Sequence, residues 1–326
     1  MSLFTDDMRR DPFPTYDALR PRSPVHVPIG DLWMILDYDG VERALRDHES
    51  FGSDVAPARG VRFGWLLFLD PPRHTKLRAL LGKAFTPRSV AALEPRIRDL
   101  ARAMLTPLLS RGTMDMAADF AVPLPMMVIA EMLGLPVDEW PRLHRWSEAI
   151  INLGATIAGN AAEADAASRA FLAANEEMTA YLGEHTARRR SGPRDDLIGR
   201  ARAHAARAGA VAVGDRGGAA PSLAGADDVS RHAAADRARR ADHPRRQIRA
   251  RDDRRGQPRS GIHFCIGAPL SRLEARVALG ELLPTLRELE RASDEPWQPR
   301  AAFQVHGPTS LPIRFAPAAL TDATSR

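Results

Sequence analysis

The sequence predicts a mainly α-helical fold with a small β component. Apolar residues recur at helical spacing in most of the patterned segments, whereas runs that suit β-strands are few and short. The chain has 326 residues, of which 44% are hydrophobic, so it can bury one large core or two modest ones. These observations favour a globular, helix-rich protein.

The N-terminal part begins with a helix and a strand and continues as a series of helices. In the segment PRHTKLRALLGKAF, Leu77, Leu80, Leu81 and Phe85 fall on one helical face, and Thr86-Pro87 then opens the next helix. The predicted elements are a helix at residues 11–20, a strand at 32–38, and helices at 72–85, 89–105, 122–135, 139–153 and 161–190.

The C-terminal part is patterned as well. It starts with a turn that contains Cys265 between two glycines, and Pro269 suits the first turn of the helix that follows. This helix is predicted from Leu270, Leu273, Val277, Leu282 and Leu286, and a strand pair is predicted at residues 301–307 and 311–315.

The segment between these parts, residues 199–259, has a different composition. Its 61 residues include 15 Arg and 7 Asp but no Phe, Trp, Tyr, Met or Glu. Such a stretch cannot bury enough apolar surface to offset the entropy lost on ordering it. We therefore divide the chain into a patterned part at 1–198, an aberrant Arg- and Ala-rich segment at 199–259 that we expect to be poorly ordered, and a patterned part at 260–326.

Composition argues against several function classes. A single cysteine cannot form an internal disulfide or a Cys-rich zinc site. The net charge of +5 is weak support for nucleic-acid binding, because 44 of the 46 cationic residues are Arg, and the Arg-rich segment has no aromatic residue for base stacking. The start of the sequence is unlike a signal peptide, and no apolar run reaches membrane length. We expect a cytoplasmic protein that binds neither nucleic acid nor membrane.

Three interpretations of Cys265 follow from its surroundings. It is a small buried hydrophobic residue, a redox or nucleophilic thiol with His263 as its base, or a thiolate metal ligand, most simply the axial ligand of a haem. The second interpretation is weakened because residues two apart on an extended strand point to opposite faces. A helix start next to the sulfur favours its thiolate form.

The segment GIHFCIGAPLSRLEA, residues 261–275, resembles the haem-binding loop and following helix of the cytochrome P450 family, the haem-thiolate monooxygenases. Ser271 stands where that motif usually has Ala. Residues 68–90, 124–150 and 307–315 also resemble bacterial members of the soluble kind, and the whole resemblance covers about residues 1–198 and 260–316. The motif positions in register are Gly261, His263, Cys265, Gly267, Leu270, Arg272 and Glu274.

The resemblance implies haem b as cofactor, with Cys265 as the iron ligand and Gly267 in the same binding loop. It also implies that His74, Arg78 and His263 bind the haem propionates. Taken without the resemblance, His74 and Arg78 fit a solvated helix face, and His263 fits a surface loop. Two anion-binding groups four residues apart on a helix also suit carboxylate recognition.

In the family, proton delivery depends on a distal helix with the pattern Ala-Gly-x-acid-Thr. The segment AGADDVSR matches it at Ala224, Gly225 and Asp227, with Asp228 in place of the threonine. An ionised Asp has no hydroxyl proton to donate, and the large apolar residues of a buried helix are missing here. Asp227 and Asp228 are therefore weak catalytic candidates, and a chance match in an Ala-, Gly- and Asp-rich stretch is the alternative.

The resemblance has a gap before the cysteine loop. The sequence carries Pro258-Arg259 where the family has Phe-Gly, and nothing in this interval resembles the family's Glu-x-x-Arg helix or the meander that follows it. We interpret this as the loss of a block between about residues 256 and 260, with residues 199–255 degraded or partly out of frame.

Two functions follow from the resemblance. One is a haem-thiolate monooxygenase that hydroxylates or epoxidises a hydrophobic small molecule, using O2 and electrons from a ferredoxin-type partner. The other is a truncated, inactive relic that binds haem weakly or not at all. The loop at residues 53–69 is expected over the distal pocket, where Trp65, Leu66 and Phe68 suit either an apolar ligand or core packing.

Overall fold

The computed structural model describes residues 5–28, 32–53, 64–154, 161–191, 199, 261–300 and 305–317. Apart from Gly199, the segment at 199–259 lies outside these ranges. The division of the chain into three parts therefore stays a prediction.

The N-terminal elements are two short helices, a β-hairpin and a third helix. The predicted strand at residues 32–38 is shorter than expected, because Asp37 already caps the next helix by accepting a 2.7 Å hydrogen bond from the Gly40 amide. Val25 pairs with Met34 in the antiparallel hairpin, whose first strand the sequence did not predict. The elements are α1 (Asp6–Arg10), α2 (Phe13–Leu19), β1 (Val25–Val27), β2 (Leu32–Met34) and α3 (Tyr38–Arg46).

The helices that follow confirm the predicted series. The helix expected at residues 89–105 is divided in two, because Pro95 has no amide to continue the hydrogen-bond ladder and instead lies in the first turn of the second helix. In order, these helices are α4 (Arg73–Gly82), α5 (Pro87–Ala91), α6 (Glu94–Leu109), α7 (Pro123–Met132), α8 (Trp140–Asn152) and α9 (Ala161–Ser191).

The C-terminal helix, α10 (Ala268–Thr285), packs against α6, and the sheet lies at its end. Leu286 was predicted on the helical face but begins a strand, since Pro284 removes an amide from the last helical turn. The sheet has the antiparallel order β3–β5–β4, with β3 at Thr113–Asp115, β4 at Leu286–Arg291 and β5 at Pro312–Pro317.

Thus the predicted strand at 311–315 is confirmed, but its partners are β3 and β4 rather than residues 301–307. Residues 301–304 lie outside the described ranges, and residues 305–307 have no strand assignment. The pairing of β5 with two distant segments was not visible in the sequence.

The main core lies between α6, α7, α10 and the sheet. Ile97 of α6 and Phe120 are almost completely buried there, as are Leu270 and Val277 of α10. A second cluster joins α7, α8 and α9 around Trp146. No helix of the described ranges is both long enough and apolar enough to cross a membrane.

We expect Ile97→Ala to lower the free energy of unfolding by about 3 kcal/mol, because it leaves a cavity in the main core. Urea titration followed by circular dichroism measures this change. Leu279→Ala, at a side chain 52% exposed on α10, is the matched control and should cost less than about 1 kcal/mol. Equal losses in the two variants would show that α6 and α10 do not pack as described.

Candidate functional site

The buried face of α4 carries polar groups. His74 is only 1% exposed, and Leu77, Arg78 and Leu81 are half-buried along the same face. The solvated-face interpretation of His74 is therefore wrong. Positions 74, 77, 78 and 81 follow the spacing of one helical face, so the histidine lies among the leucines rather than opposite them.

Cys265 lies in the turn that leads into α10. The Cys265 carbonyl accepts a 3.2 Å hydrogen bond from the Ala268 amide, and the Gly267 carbonyl accepts one of 3.0 Å from the Ser271 amide. The cysteine is exposed. The interpretation of Cys265 as a small buried hydrophobic residue is therefore wrong, and its thiol is open to chemistry.

Arg78 joins α4 to the cysteine turn. Its Nη2 donates a 2.5 Å hydrogen bond to the carbonyl of Phe264, the residue just before Cys265. Hydrogen bonds from charged donors are the stronger kind. This bond fixes the distance between the polar face of α4 and the thiol.

His74 and His263 face each other across this junction. Their ring centroids are 4.3 Å apart, with the rings tilted by 46°. Both ring nitrogens of His74 and the Nε2 of His263 are buried without a hydrogen-bond partner among the described residues. Such atoms are rare in folded proteins, because each costs about 1–3 kcal/mol. They are well suited to a ligand with hydrogen-bonding groups.

The environment disfavours the charged forms of both histidines. Burial lowers the pKa of His74, and the neighbouring His263 and Arg78 lower it further, whereas the Asp70 carboxylate opposes the shift. Burial also lowers the pKa of His263, with Asp70 again opposing. An anionic group bound between them would act in the same direction as Asp70 and favour their charged forms.

Gly261 is required by its close packing against the end of α3. A Cβ at this position would lie 1.5 Å from the Leu45 carbonyl oxygen, which is backbone and cannot move aside. At Gly267 a Cβ would meet the Cys265 Sγ at 3.8 Å, an ordinary contact. Gly261 thus holds the start of the cysteine loop against the end of α3.

Sequence reasoning missed Asp70 at this site, and it missed the burial of Glu274, a motif position on α10. Asp70 accepts a 2.8 Å hydrogen bond from the Ser53 amide and influences both histidines. Glu274 is only 8% exposed on the core side of α10, where burial raises its pKa to about 7. The sequence signal for the burial of Glu274 was its place among the apolar positions 270, 273 and 277.

Of the remaining candidates, Trp65, Leu66 and Phe68 lie within the described residues. Trp65 packs on Phe171 of α9 with ring centroids 5.3 Å apart, and that ring is fully buried. Of the two interpretations, apolar ligand or core packing, the structure supports core packing for Trp65. Asp227 and Asp228 lie outside the described residues. Within the described ranges, no three His, Cys, Asp or Glu side chains form a metal-binding cluster.

The site is a cysteine at a helix start, beside a half-buried guanidinium and two imidazoles, in a mainly helical fold. Comparison with known proteins identifies this class. The chain is 37% identical over 202 residues to cytochrome P450 109 of Bacillus spizizenii, covering 60% of this chain and 47% of the relative. It is 33% identical over 186 residues to erythromycin C-12 hydroxylase of Saccharopolyspora erythraea, covering 56% and 45%.

The fold comparison agrees. The crystal structure of CYP109E1 from Bacillus megaterium in complex with testosterone matches with a TM-score of 0.74 and 23% identity, covering 95% of this chain and 99% of that one. No model of a known protein family matches the chain. The chain is similar to the cytochrome P450 family in sequence and in fold. It spans about half the length of the curated relatives it matches.

The prosthetic group of this family is haem b. The described residues fit it: an exposed thiol can ligate iron, and buried, unpartnered imidazole nitrogens beside a guanidinium can receive the two propionate carboxylates. The junction between α4 and the cysteine turn is therefore the candidate haem site.

We expect Gly261→Ala to destabilise the protein by more than about 2 kcal/mol, because the new methyl group forces the cysteine loop away from α3. Thermal unfolding measures the loss. The matched control is Gly280→Ala on α10, where a Cβ meets nothing within 4 Å. That variant should be about 1 kcal/mol more stable, since Ala is the better helix former. A stable Gly261→Ala variant would contradict the described packing.

We expect stability to fall as pH rises from about 5 to 7, because the folded-state pKa of Glu274, about 7, is above that of an unfolded glutamate. In this pH window the folded state binds the Glu274 proton more tightly than the unfolded state does. This contribution to the free energy of unfolding is lost as the carboxyl ionises. Glu274→Gln removes this dependence and raises stability at pH 8 by up to about 3 kcal/mol.

Urea midpoints of the wild type, Glu274→Gln and Glu281→Gln at pH 5 and pH 8 test this expectation. Glu281 is already ion-paired with Arg98 and Arg102, so its variant should keep the wild-type pH slope between 5 and 7. If Glu274→Gln keeps the wild-type pH dependence of stability, a group other than Glu274 causes it.

Proposed function

We propose that this chain is a haem-thiolate monooxygenase in which Cys265 ligates the iron of haem b. The observation that supports it is the exposed thiol at the start of α10, beside the buried and unpartnered nitrogens of His74 and His263. The P450 relationship and the hydroxylase name of one relative support the same reaction class.

Cys265 acts as a thiolate in this proposal. Its sulfur lies at the start of α10, an 18-residue helix whose positive dipole end and first-turn amides stabilise negative charge. The turn that holds it is fixed on one side by α10 and on the other by the Arg78 bond to Phe264. The chain thus presents the sulfur in one position.

His74, Arg78 and His263 bind the propionate carboxylates, with Gly267 in the same loop. Each imidazole has buried nitrogen that lacks a partner, so a carboxylate would satisfy a group that is otherwise costly to bury. Asp70 favours protonation of both imidazoles, which strengthens their bonds to an anion.

When bound, a thiolate-ligated haem supplies oxygen activation, because electron density from sulfur favours O–O cleavage. The electrons come from a ferredoxin-type donor and the substrate is a hydrophobic small molecule, as the resemblance implies. Asp227 and Asp228 stay weak predictions for proton delivery. The cytoplasmic location also stays a prediction.

The composition of residues 199–259 favours a second candidate, an inactive relic that has lost an internal block. That segment has none of the chain's 19 aromatic residues, and the chain spans about half of its curated relatives. In this case the chain binds haem weakly or not at all and does not support turnover.

We expect the reduced, haem-reconstituted protein to give a strongly red-shifted Soret band with carbon monoxide, because a thiolate ligates the iron. Cys265→Ser should abolish that band, while the exposed-histidine control His306→Gln should keep it. Product formation with a ferredoxin and its reductase then separates the two candidates. A wild type without the red-shifted band overturns the haem-thiolate proposal and favours the relic, whereas a band without any turnover overturns the monooxygenase activity.

A further inference from the structure

A cavity of about 510 Å³ lies between the second half of α9, the start of α8 and the turn that precedes α8. Cavities of roughly 300–1,000 Å³ are typical of sites for small molecules. The residues that line this one belong neither to α4 nor to the cysteine turn, so the cavity is separate from the candidate haem site. It is therefore a candidate for a second ligand.

His185 of α9 places a polar ring at this cavity. The residue is only 9% exposed, and its ring forms no hydrogen bond with the described residues. The ring packs against Tyr181, with the ring centroids 4.5 Å apart and the planes tilted by 43°. Buried polar side chains normally have a hydrogen-bond partner, because leaving one unpaired lowers stability. The imidazole nitrogens are therefore suited to a ligand in the cavity.

Arg142 of α8 contributes a second donor without a partner. Its guanidinium carbon lies 4.9 Å from the centroid of the Tyr181 ring. The Arg142 Nε is 3.2 Å from the Glu177 carboxylate, but it is not aligned for a hydrogen bond and is buried without a partner among the described residues. A guanidinium can only donate, and a protonated imidazole also only donates. Two such groups beside one aromatic ring favour a ligand that accepts hydrogen bonds.

The charges near His185 favour an anion over a cation. Burial lowers the pKa of His185, and Arg188 and Arg189 lower it further by more than Glu184 and Glu139 raise it. Both carboxylates are already ion-paired, Glu184 with Arg188 at 2.5 Å and Glu139 with an arginine of α8 at 3.0 Å. An anion at His185 therefore meets a net positive field.

We propose that this cavity binds a small organic acid, with its carboxylate at His185 and Arg188 and its apolar body on the Tyr181 ring. Positions 185 and 188 are neighbours on one face of α9, and a guanidinium has five N–H donors, more than one ion pair uses. Pro136 and Ala180 extend the apolar surface beside the ring. The proposal goes beyond the proposed function and does not depend on haem binding.

Isothermal titration calorimetry of the full chain with benzoate, benzylamine and inorganic phosphate tests this proposal. We expect benzoate to bind at least about tenfold more tightly than the other two. Benzylamine has the same ring with the opposite charge, and phosphate has no apolar body. The affinity for benzoate should fall as pH rises from 5.5 to 8, because the protonated form of His185 binds an anion more tightly. Reconstitution with haem should leave it unchanged.

Two variants locate the binding site. His185→Gln and Arg188→Gln should each weaken benzoate binding by about tenfold, because each removes a charged hydrogen-bond donor. Arg188 is exposed, so its variant is informative even where His185→Gln does not fold. The matched control is Arg169→Gln, which breaks the same type of exposed ion pair on α9, with Asp165, and should bind benzoate like the wild type.

Any of four results would overturn the proposal. The wild type does not bind benzoate, or benzylamine or phosphate binds as tightly as benzoate. In the third, Arg169→Gln weakens binding as much as Arg188→Gln, which indicates a general effect of charge. In the fourth, His74→Gln abolishes binding while His185→Gln and Arg188→Gln retain it, which locates the anion at the junction of α4 with the cysteine turn.

Discussion

The position of Cys265 depends on the packing of α10 against α6. Leu270, Leu273 and Val277 of α10 enter the same core as Ile97 of α6, and ion pairs from Arg98 and Arg102 to Glu281 flank the contact. The cysteine turn continues directly into the first turn of α10. A helix held by burial along its length therefore fixes the thiol more firmly than a free loop would.

The histidine side of the site, in contrast, lowers the stability of the fold. His74 and His263 keep unpartnered nitrogens in a buried setting, which lowers stability, and their lowered pKa values report the same desolvation. The rule that buried polar atoms have hydrogen-bond partners is broken here, whereas the neighbouring core follows the usual rules of packing. Such a contrast is typical of residues kept for binding rather than for packing.

Helical periodicity and the cysteine motif let the sequence predict the helices, the turn at Cys265 and the residues that surround it. The pairing of β5 with β3 could not be predicted, because pairing between positions about 200 residues apart leaves no local signal. Leu286 was misplaced because apolar spacing outweighed the helix-breaking effect of Pro284. The burial of His74 was missed because a polar residue was assumed to face solvent, although its spacing from Leu77 and Leu81 places it on their side.

The strand order β3–β5–β4 has a consequence for synthesis of the chain. The middle strand, Pro312–Pro317, is the last of the three to leave the ribosome, and it joins Thr113–Asp115 to Leu286–Arg291. Ile313 and Phe315 complete the main core only at that point. The apolar surface of the helices made first therefore stays exposed until almost all described residues have been translated. Chaperones have access to that surface during this interval.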